Sequence, residues 1–338
     1  MRNNNDKSKS GETRENIVQT KAFRHVDLLL GVLTEDAIAA LRTMPDNCFN
    51  VVITSPPYFW VRDYRVEGQI GHEDTVEEYI SRLADVFDEV KRVLHEEGVF
   101  YLNIGDTYYS GNGQPHGSDP RSASRNFMRT KMRAVDKSGW SIPKKSQIGI
   151  PWQLAFELQR RGWTLRSDII WRRHNAFSEP SVRDRPKREH EHLFLFAKSR
   201  FYSYDLAALD GAGDVWEIPI ERAKIMDHNA PFPTKLVEKC IATGSPPGGR
   251  VLDPFVGSGT TMLTSLGMGR HCVGIDLKDE YTKQLSETLT ETGAFETKWE
   301  AMQQLLEAPC CELESWRGHL RNMRKPGRKP FTKKTETE

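Results

Sequence analysis

The segment of residues 250 to 260, RVLDPFVGSGT, constrains the fold of this chain more than any other stretch. Its pattern predicts a short apolar strand, a tight turn at Gly257 and Gly259, and a helix that begins directly after the turn. Glycines allow such a turn and let the backbone approach a ligand closely. The next predicted strand, residues 272 to 276, ends in Asp276, 19 residues after Gly257. A carboxylate at that strand end can accept hydrogen bonds from both hydroxyls of a ribose.

A dinucleotide cofactor matches this pattern only in part. The third glycine of the dinucleotide motif would fall at Met262, and a pyrophosphate gains nothing from the negative charge of Asp253 at the strand end. An acid at that position favours a cationic ligand, bound through an ammonium or a sulfonium group. S-adenosylmethionine carries both groups, and we predict it as the cofactor.

Strands and helices alternate along much of the chain, which predicts an α/β fold with a mostly parallel, doubly wound sheet. The clearest helix start is the capping box of Thr75 and Glu78, which precedes a long apolar stripe that we expect to end at Gly98. The predicted strands are residues 28–30, 50–54, 99–104, 167–171, 192–197, 251–253 and 272–276. The other predicted helices are residues 35–43, 151–161 and 260–266, with further helix in 279–307.

Charge is distributed unevenly, although the net charge is only +1. Residues 121 to 145 carry eight basic side chains against one acid, and residues 317 to 334 carry eight more against none. Such blocks neutralise phosphates and favour nucleic acid over a small-molecule substrate. The five cysteines form no CxxC pair, so no disulfide framework and no metal site is predicted. The chain lacks an apolar run of membrane-spanning length, so we expect a cytoplasmic protein without a membrane partner.

A rigid loop is predicted directly after the buried strand of residues 50 to 54, where the chain reads Ser55-Pro56-Pro57-Tyr58. The prolines fix the backbone and remove two amide donors. The Ser55 hydroxyl and the Pro56 carbonyl can then each accept a hydrogen bond from an exocyclic amino group and direct its lone pair at a methyl donor. Tyr58 offers an aromatic face for a base taken out of the double helix. Another reading is a polyproline turn, but open α/β sheets bind ligands at the carboxyl ends of their strands.

With both motifs in view, the chain resembles the amino-methyltransferases of bacterial restriction–modification systems and their phage relatives. The catalytic motif precedes the cofactor motif, which is the order of the β group. Four further segments carry the resemblance, and it covers about residues 23 to 290. These segments are residues 102–107 (LNIGDT), 169–171 (IIW), 188–198 (REHEHLFLFAK) and 228–236 (HNAPFPTKL).

The resemblance implies a Rossmann-like methyltransferase fold, base flipping in double-stranded DNA, and direct methyl transfer without a covalent intermediate. The catalytic loop is carried over as Ser55, Pro56, Pro57 and Tyr58. The cofactor site is carried over as Asp253, Phe255, Gly257, Ser258, Gly259, Thr260 and Asp276, flanked by Phe232, Pro233 and Thr234. No catalytic metal is expected. A cognate restriction endonuclease would act separately, and the sequence leaves both its existence and the oligomeric state open.

The domain boundaries follow from this alignment of motifs. We expect a disordered N-terminus over residues 1–22, a methyltransferase domain over 23–290, and a helical extension with a basic tail over 291–338. The basic loop of residues 108–149 and the short segment 199–227 are the candidates for reading the DNA sequence.

The serine that opens the catalytic motif favours one target base. In the family that the chain resembles, serine at this position usually marks methylation of cytosine N4, whereas aspartate or asparagine usually marks adenine N6. Cytosine N4 is therefore the predicted acceptor. The alternatives that stay open are an adenine-N6 enzyme, an RNA methyltransferase and a non-catalytic DNA-binding module.

Overall fold

The computed structural model describes residues 28–111, 134–137, 139–173, 182–221, 232–293 and 297–308. Eight strands form one sheet, flanked by seven helices within these residues. The strands are β1 (Leu30–Thr34), β2 (Phe49–Thr54), β3 (Leu94–Ile104), β4 (Thr164–Arg172), β5 (His190–Ala197), β6 (Val215–Glu217), β7 (Arg250–Asp253) and β8 (His271–Asp276). The helices are α1 (Ala37–Arg42), α2 (Val76–Val93), α3 (Ile150–Arg160), α4 (Thr234–Gly244), α5 (Thr260–Gly267), α6 (Asp279–Glu291) and α7 (Trp299–Glu307).

The strand order is β1-β8-β7-β2-β3-β5-β4-β6. Only β5 runs antiparallel to its neighbours, so the predicted mostly parallel sheet is confirmed. Strand β7 lies directly beside β2, with Val251 opposite Val51 and Leu252 opposite Val52. The two predicted motifs, nearly 200 residues apart in sequence, therefore begin at the same edge of the sheet.

Helices cover both faces of the sheet, as the doubly wound prediction requires. One buried cluster joins the sheet to α1, α2 and α3, through residues such as Leu41, Phe87 and Leu154. The other joins the opposite face to α4, α5 and α6, through residues such as Ile241 and Leu285. Both faces of the central strands are thus buried, which explains why β2 reads as a continuous apolar run.

Helix α2 begins with the predicted capping box, because Thr75 accepts from the Glu78 amide and Glu78 accepts from the Thr75 amide. The helix ends at Val93, and β3 follows at once from Leu94, so the predicted helix end at Gly98 is wrong. Gly98 has a packing role inside the strand. A Cβ there would lie 2.6 Å from the Leu94 Cδ1 atom and 2.8 Å from the Asn50 carbonyl oxygen.

The two candidate recognition segments are described only in part. In the basic loop, Tyr109, Val135 and Ile148 are buried and belong to the core. In the second segment, the short strand β6 was not predicted, and it pairs with β4 through the buried Trp216. Residues 112–133, 222–231 and 309–338, and the whole predicted disordered N-terminus, lie outside the described residues. None of the described helices is both long and apolar enough to cross a membrane.

Candidate active site

The carboxyl ends of β2, β7 and β8 open onto two adjoining cavities, which share Ser55, Tyr64, Phe255 and Gly257 in their walls. We call them the Asp276 cavity and the Tyr58 cavity, after one residue that lines each. Counting the parts open to solvent, they enclose about 700 Å³ and about 1250 Å³. Two ligands bound in these cavities would meet at Ser55 and Gly257.

The glycine turn after β7 is held against the end of β8. Gly257 has a φ of 49° and donates its amide to Asp276 Oδ2 at 3.0 Å. The Lys278 amide donates to Asp276 Oδ1 at 2.8 Å. Each carboxylate oxygen of Asp276 thus accepts one backbone hydrogen bond and keeps a further acceptor site. Burial raises the pKa of this carboxyl, while the two amides oppose that shift.

These residues fit S-adenosylmethionine. The spare acceptor sites of Asp276 suit a pair of ribose hydroxyls, and the partly buried ring of Phe255 offers an apolar face beside them. A side chain on Gly257 would need the left-handed backbone that only glycine adopts easily. The glycine turn therefore leaves the junction of the two cavities open, whereas a bulkier residue at position 257 would fill it.

Not all of the predicted cofactor residues line a cavity. Asp276 lines the Asp276 cavity, Phe255 and Gly257 line both cavities, and Phe232, Ser258 and Thr260 line the Tyr58 cavity. Gly259 lines neither, and its role is packing, because a Cβ there would lie 2.2 Å from the Leu285 Cδ1 atom. Pro233 is buried, and Thr234 starts α4, where its amide and hydroxyl both donate to the Glu221 carboxylate.

Among the predicted cofactor residues, Asp253 has the environment that differs most from the one expected for direct contact with the cofactor. Only 1% of the residue is exposed, and it lines neither cavity. Its carboxylate accepts from the Thr54 hydroxyl at 2.6 Å, the Thr261 hydroxyl at 2.6 Å and the Phe255 amide at 3.1 Å. Burial raises the pKa of this carboxyl to about 6, although the three donors oppose the shift. Asp253 ties the end of β2 to the start of α5.

The predicted catalytic loop after β2 is fixed by a hydrogen bond from helix α2. The Tyr79 hydroxyl on α2 donates to the Pro57 carbonyl at 2.8 Å. Ser55 and Pro56 line the Tyr58 cavity, and Pro57 lines the Asp276 cavity. The structure thus brings the four loop residues to the junction where the predicted cofactor site begins.

A chain of hydrogen bonds orients the hydroxyls of this loop. The Ser55 hydroxyl donates to the Tyr58 oxygen at 3.3 Å, and the Tyr58 hydroxyl donates to Glu191 Oε2 at 2.8 Å. Arg173 Nη1 donates to Glu191 Oε1 at 2.6 Å, which fixes the carboxylate. Burial and the Glu191 charge raise the pKa of Tyr58 well above its usual range. Because the Ser55 proton is donated to Tyr58, the lone pairs of the Ser55 oxygen remain available as acceptors.

Sequence reasoning missed Glu191, Arg173 and Asn103 as site residues. Asn103 donates to Glu191 Oε2 at 3.2 Å and to the His192 carbonyl at 3.1 Å. Asn103 and Glu191 lie in segments that carried the family resemblance, but neither has a local signal of its own. Their role depends on the antiparallel pairing of β3 with β5, in which Asn103 faces Leu193.

A basic surface adjoins the Tyr58 cavity. Arg185, Lys187 and Arg188 line a third cavity, which shares Asp106, Arg188 and Glu191 with the Tyr58 cavity. The Arg185 guanidinium lies 4.0 Å from the ring centroid of Tyr108, and Arg188 donates to the Asp106 carbonyl. Cations at the rim of a deep cavity suit a phosphate backbone. Among the described residues, no group of three or more His, Cys, Asp or Glu could hold a metal ion.

The sequence of this chain is similar to those of known proteins. A family model described as DNA methylase matches residues 49–287. The type II methyltransferase M.SmaI of Serratia marcescens is 41% identical over 269 residues, which cover 76% of this chain and 90% of that protein. The type II methyltransferase M.XycI of Xanthomonas campestris pv. cyanopsidis is 42% identical over 266 residues, which cover 75% of this chain and 85% of that protein.

Solved structures share the fold at lower sequence identity. The PvuII DNA methyltransferase, described as cytosine-N4-specific, has a TM-score of 0.57 at 18% identity, covering 82% of this chain and 91% of that one. A putative DNA modification methylase from Thermus thermophilus, complexed with S-adenosyl-L-methionine, has a TM-score of 0.57 at 21% identity. That comparison covers 78% of this chain and 94% of the other.

Proposed function

Because this chain belongs to the DNA methylase family of type II restriction–modification methyltransferases, we propose that it methylates the N4 atom of cytosine in duplex DNA. Family membership makes the protein a DNA methyltransferase that acts on double-stranded DNA and uses S-adenosyl-L-methionine as its cofactor. The choice of the base and the roles of individual residues are the proposed part.

The observation that carries the proposal is the orientation of the Ser55 hydroxyl. An exocyclic amino group has two N–H donors, and its lone pair is delocalised into the ring. Two acceptors, the Ser55 oxygen and the Pro56 carbonyl, would hold those hydrogens and direct the lone pair out of the ring plane. As its bond to the methyl group forms, the nitrogen would release one of the two protons to solvent. Because the Ser55 hydroxyl donates to Tyr58, which donates in turn to Glu191, the lone pairs of the serine oxygen would be free to accept from the amino group.

The donor side is assigned to the Asp276 cavity. When bound, S-adenosylmethionine supplies a methyl group activated by its sulfonium. Asp276 would accept from the ribose hydroxyls, Phe255 would pack on the cofactor, and the Gly257 turn would admit the methyl group to the junction with Ser55. Ser258, Thr260 and Phe232 line the Tyr58 cavity, so they would border the transferred methyl group.

The acceptor side is assigned to the Tyr58 cavity, which is large enough for a base. The ring of Tyr58 would stack on a flipped base, and base–aromatic stacking contributes roughly 1–3 kcal/mol. The basic surface of Arg185, Lys187 and Arg188 would then hold the phosphates beside the flipped nucleotide. Pairing with a separate restriction endonuclease is consistent with the type II relatives and belongs to this proposal.

Serine rather than aspartate favours cytosine on family grounds, and the site adds a physical reason for the neutral group. A carboxylate at position 55 would join the Tyr58 hydroxyl network that already contains the Glu191 charge, and like charges in one network oppose each other. A neutral hydroxyl avoids that repulsion.

Product analysis tests the choice of base. The full chain is incubated with isotopically labelled S-adenosylmethionine and mixed-sequence duplex DNA, and the DNA is digested to nucleosides for mass spectrometry. We expect labelled N4-methylcytosine. Labelled N6-methyladenine would keep the fold and the cofactor but overturn the proposed base.

A further inference from the structure

We propose that Arg173 reads the ring of the flipped cytosine, by donating hydrogen bonds to its N3 and O2 atoms. The inference rests on the proposed function and makes it more specific. Cytosine presents its amino group, N3 and O2 along one edge, as one donor group followed by two acceptors. A site that holds the amino group at Ser55 therefore needs donors further along the same cavity.

Arg173 lines that cavity and has hydrogen-bonding capacity to spare. A guanidinium has five N–H groups, and contacts with the described residues use only the Nη1 bond to Glu191. The Nε–H is buried and has no partner among the described residues. Two other donors that line the cavity are already engaged, because the Trp171 indole donates to the Ile218 carbonyl and the Asn103 amide donates to Glu191 and His192.

The position of Arg173 is fixed from two sides. Its amide donates to the Glu189 carbonyl at 2.7 Å, which extends the pairing of β4 with β5 beyond the strand end. Its guanidinium is paired with Glu191, and only 17% and 13% of the two side chains are exposed. The same carboxylate accepts from Tyr58, so the residue that would read the ring and the residue that would stack on it share one anchor.

This arrangement distinguishes cytosine from adenine. With its amino group at the same place, adenine offers a single acceptor, N1, and then a C2–H that cannot accept a hydrogen bond. A planar guanidinium has adjacent N–H groups that match two neighbouring acceptors and would leave one unpaired against adenine. The Glu191 charge offsets the guanidinium charge, so the pair does not oppose the positive charge that develops on the reacting nitrogen.

The test pairs a side-chain change with a single-atom change in the DNA. The methylated position is first mapped, and duplexes are made with cytosine or 3-deazacytosine there, the latter carrying C–H in place of N3. The value of kcat/KM is measured for both duplexes with the wild type and with Arg173→Met. Changes in pairing or nucleophilicity caused by the analogue affect both enzymes equally and cancel in the ratio.

We expect the wild type to prefer cytosine over 3-deazacytosine by about 10- to 100-fold, and Arg173→Met to lose most of that preference. Arg172→Met is the matched control, since Arg172 pairs with the exposed Glu217, and it should keep the wild-type ratio. Should Arg173→Met fail to fold, Arg173→Lys keeps a charge near Glu191 and is expected to show a reduced ratio.

A preference that is unchanged in the Arg173 variants overturns the inference, even if their overall activity falls. If KM rose equally for both duplexes and the preference for cytosine over 3-deazacytosine were unchanged, Arg173 would instead be assigned a contact with a DNA phosphate. These outcomes are distinct from failure of the proposed function, which would appear as the absence of N4-methylcytosine in wild-type products.

Discussion

Asp253 and Asp276 end neighbouring parallel strands at the same edge of the sheet, yet they have different environments. Asp276 lines a cavity and accepts two backbone amides, whereas Asp253 is enclosed by Thr54, Thr261 and the Phe255 amide. The register explains the difference, because Asp253 lies opposite Gly274, two residues before the end of β8. Two residues of strand are about 7 Å, so Asp253 lies that much deeper in the sheet.

An acid at a strand end can contact a ligand only where its strand extends far enough to reach the cavity. Asp276 does so and stays open to the cavity. Asp253 stops short, and its carboxylate joins the two loops that form the site. Asp276 would bind the cofactor, and Asp253 would hold the two loops in position.

The largest effect is expected from replacing the buried acid. Asp253→Leu leaves two buried threonine hydroxyls and one partly buried amide without their acceptor, and we expect it to lower the free energy of unfolding by about 3 kcal/mol or more. Urea unfolding of the variant and the wild type measures this. If the variant kept its stability but bound the cofactor much more weakly, the result would instead support direct contact between Asp253 and the cofactor.

Replacement of Asp276 should instead affect cofactor binding more than stability. Asp276→Ala removes an acceptor for two ribose hydroxyls, and we expect about 100-fold weaker binding of S-adenosylmethionine by calorimetry, with a much smaller loss of stability than Asp253→Leu. Asp279→Asn, which changes an exposed acid three residues later, should bind like the wild type. Affinity retained in Asp276→Ala would contradict the assignment of the Asp276 cavity.

A smaller effect concerns pH. The pKa of Asp253 is raised to about 6, so the folded state holds a proton that the unfolded chain releases near pH 4. The stabilisation from this group is complete below pH 4 and is lost as the pH rises through 6. Asp253→Asn removes this titration. Between pH 5 and pH 7 the wild type should lose about 1 kcal/mol more stability than Asp253→Asn, and parallel pH profiles would speak against the raised pKa.

The sequence predicted those parts of the fold and site that have a local signal. The parallel sheet, the capping box of α2, the rigid loop at Ser55 and the glycine turn at Gly257 each follow from a few adjacent residues. Strand β6 has only three residues and no clear pattern, so it could not be recognised.

Other parts of the site depend on contacts between distant segments. Tyr58 and Glu191 are 133 residues apart, and their hydrogen bond depends on the pairing of β2 with β3 and of β3 with β5. The depth of Asp253 follows from the register of β7 against β8, which the sequence of neither strand encodes alone. Gly98 illustrates the same limit, since its requirement for glycine arises from Asn50 on the neighbouring strand rather than from a helix end.

The acceptor role of Ser55 is the central claim, and single-turnover methyl transfer by Ser55→Ala tests it most directly. Cofactor and DNA are held at saturation, and their dissociation constants are measured for the same variant. We predict a rate about 100- to 1000-fold below that of the wild type, as for removal of one group that stabilises a transition state, with both dissociation constants nearly unchanged. A rate close to that of the wild type would contradict the account, because the amino group would then react without the Ser55 oxygen.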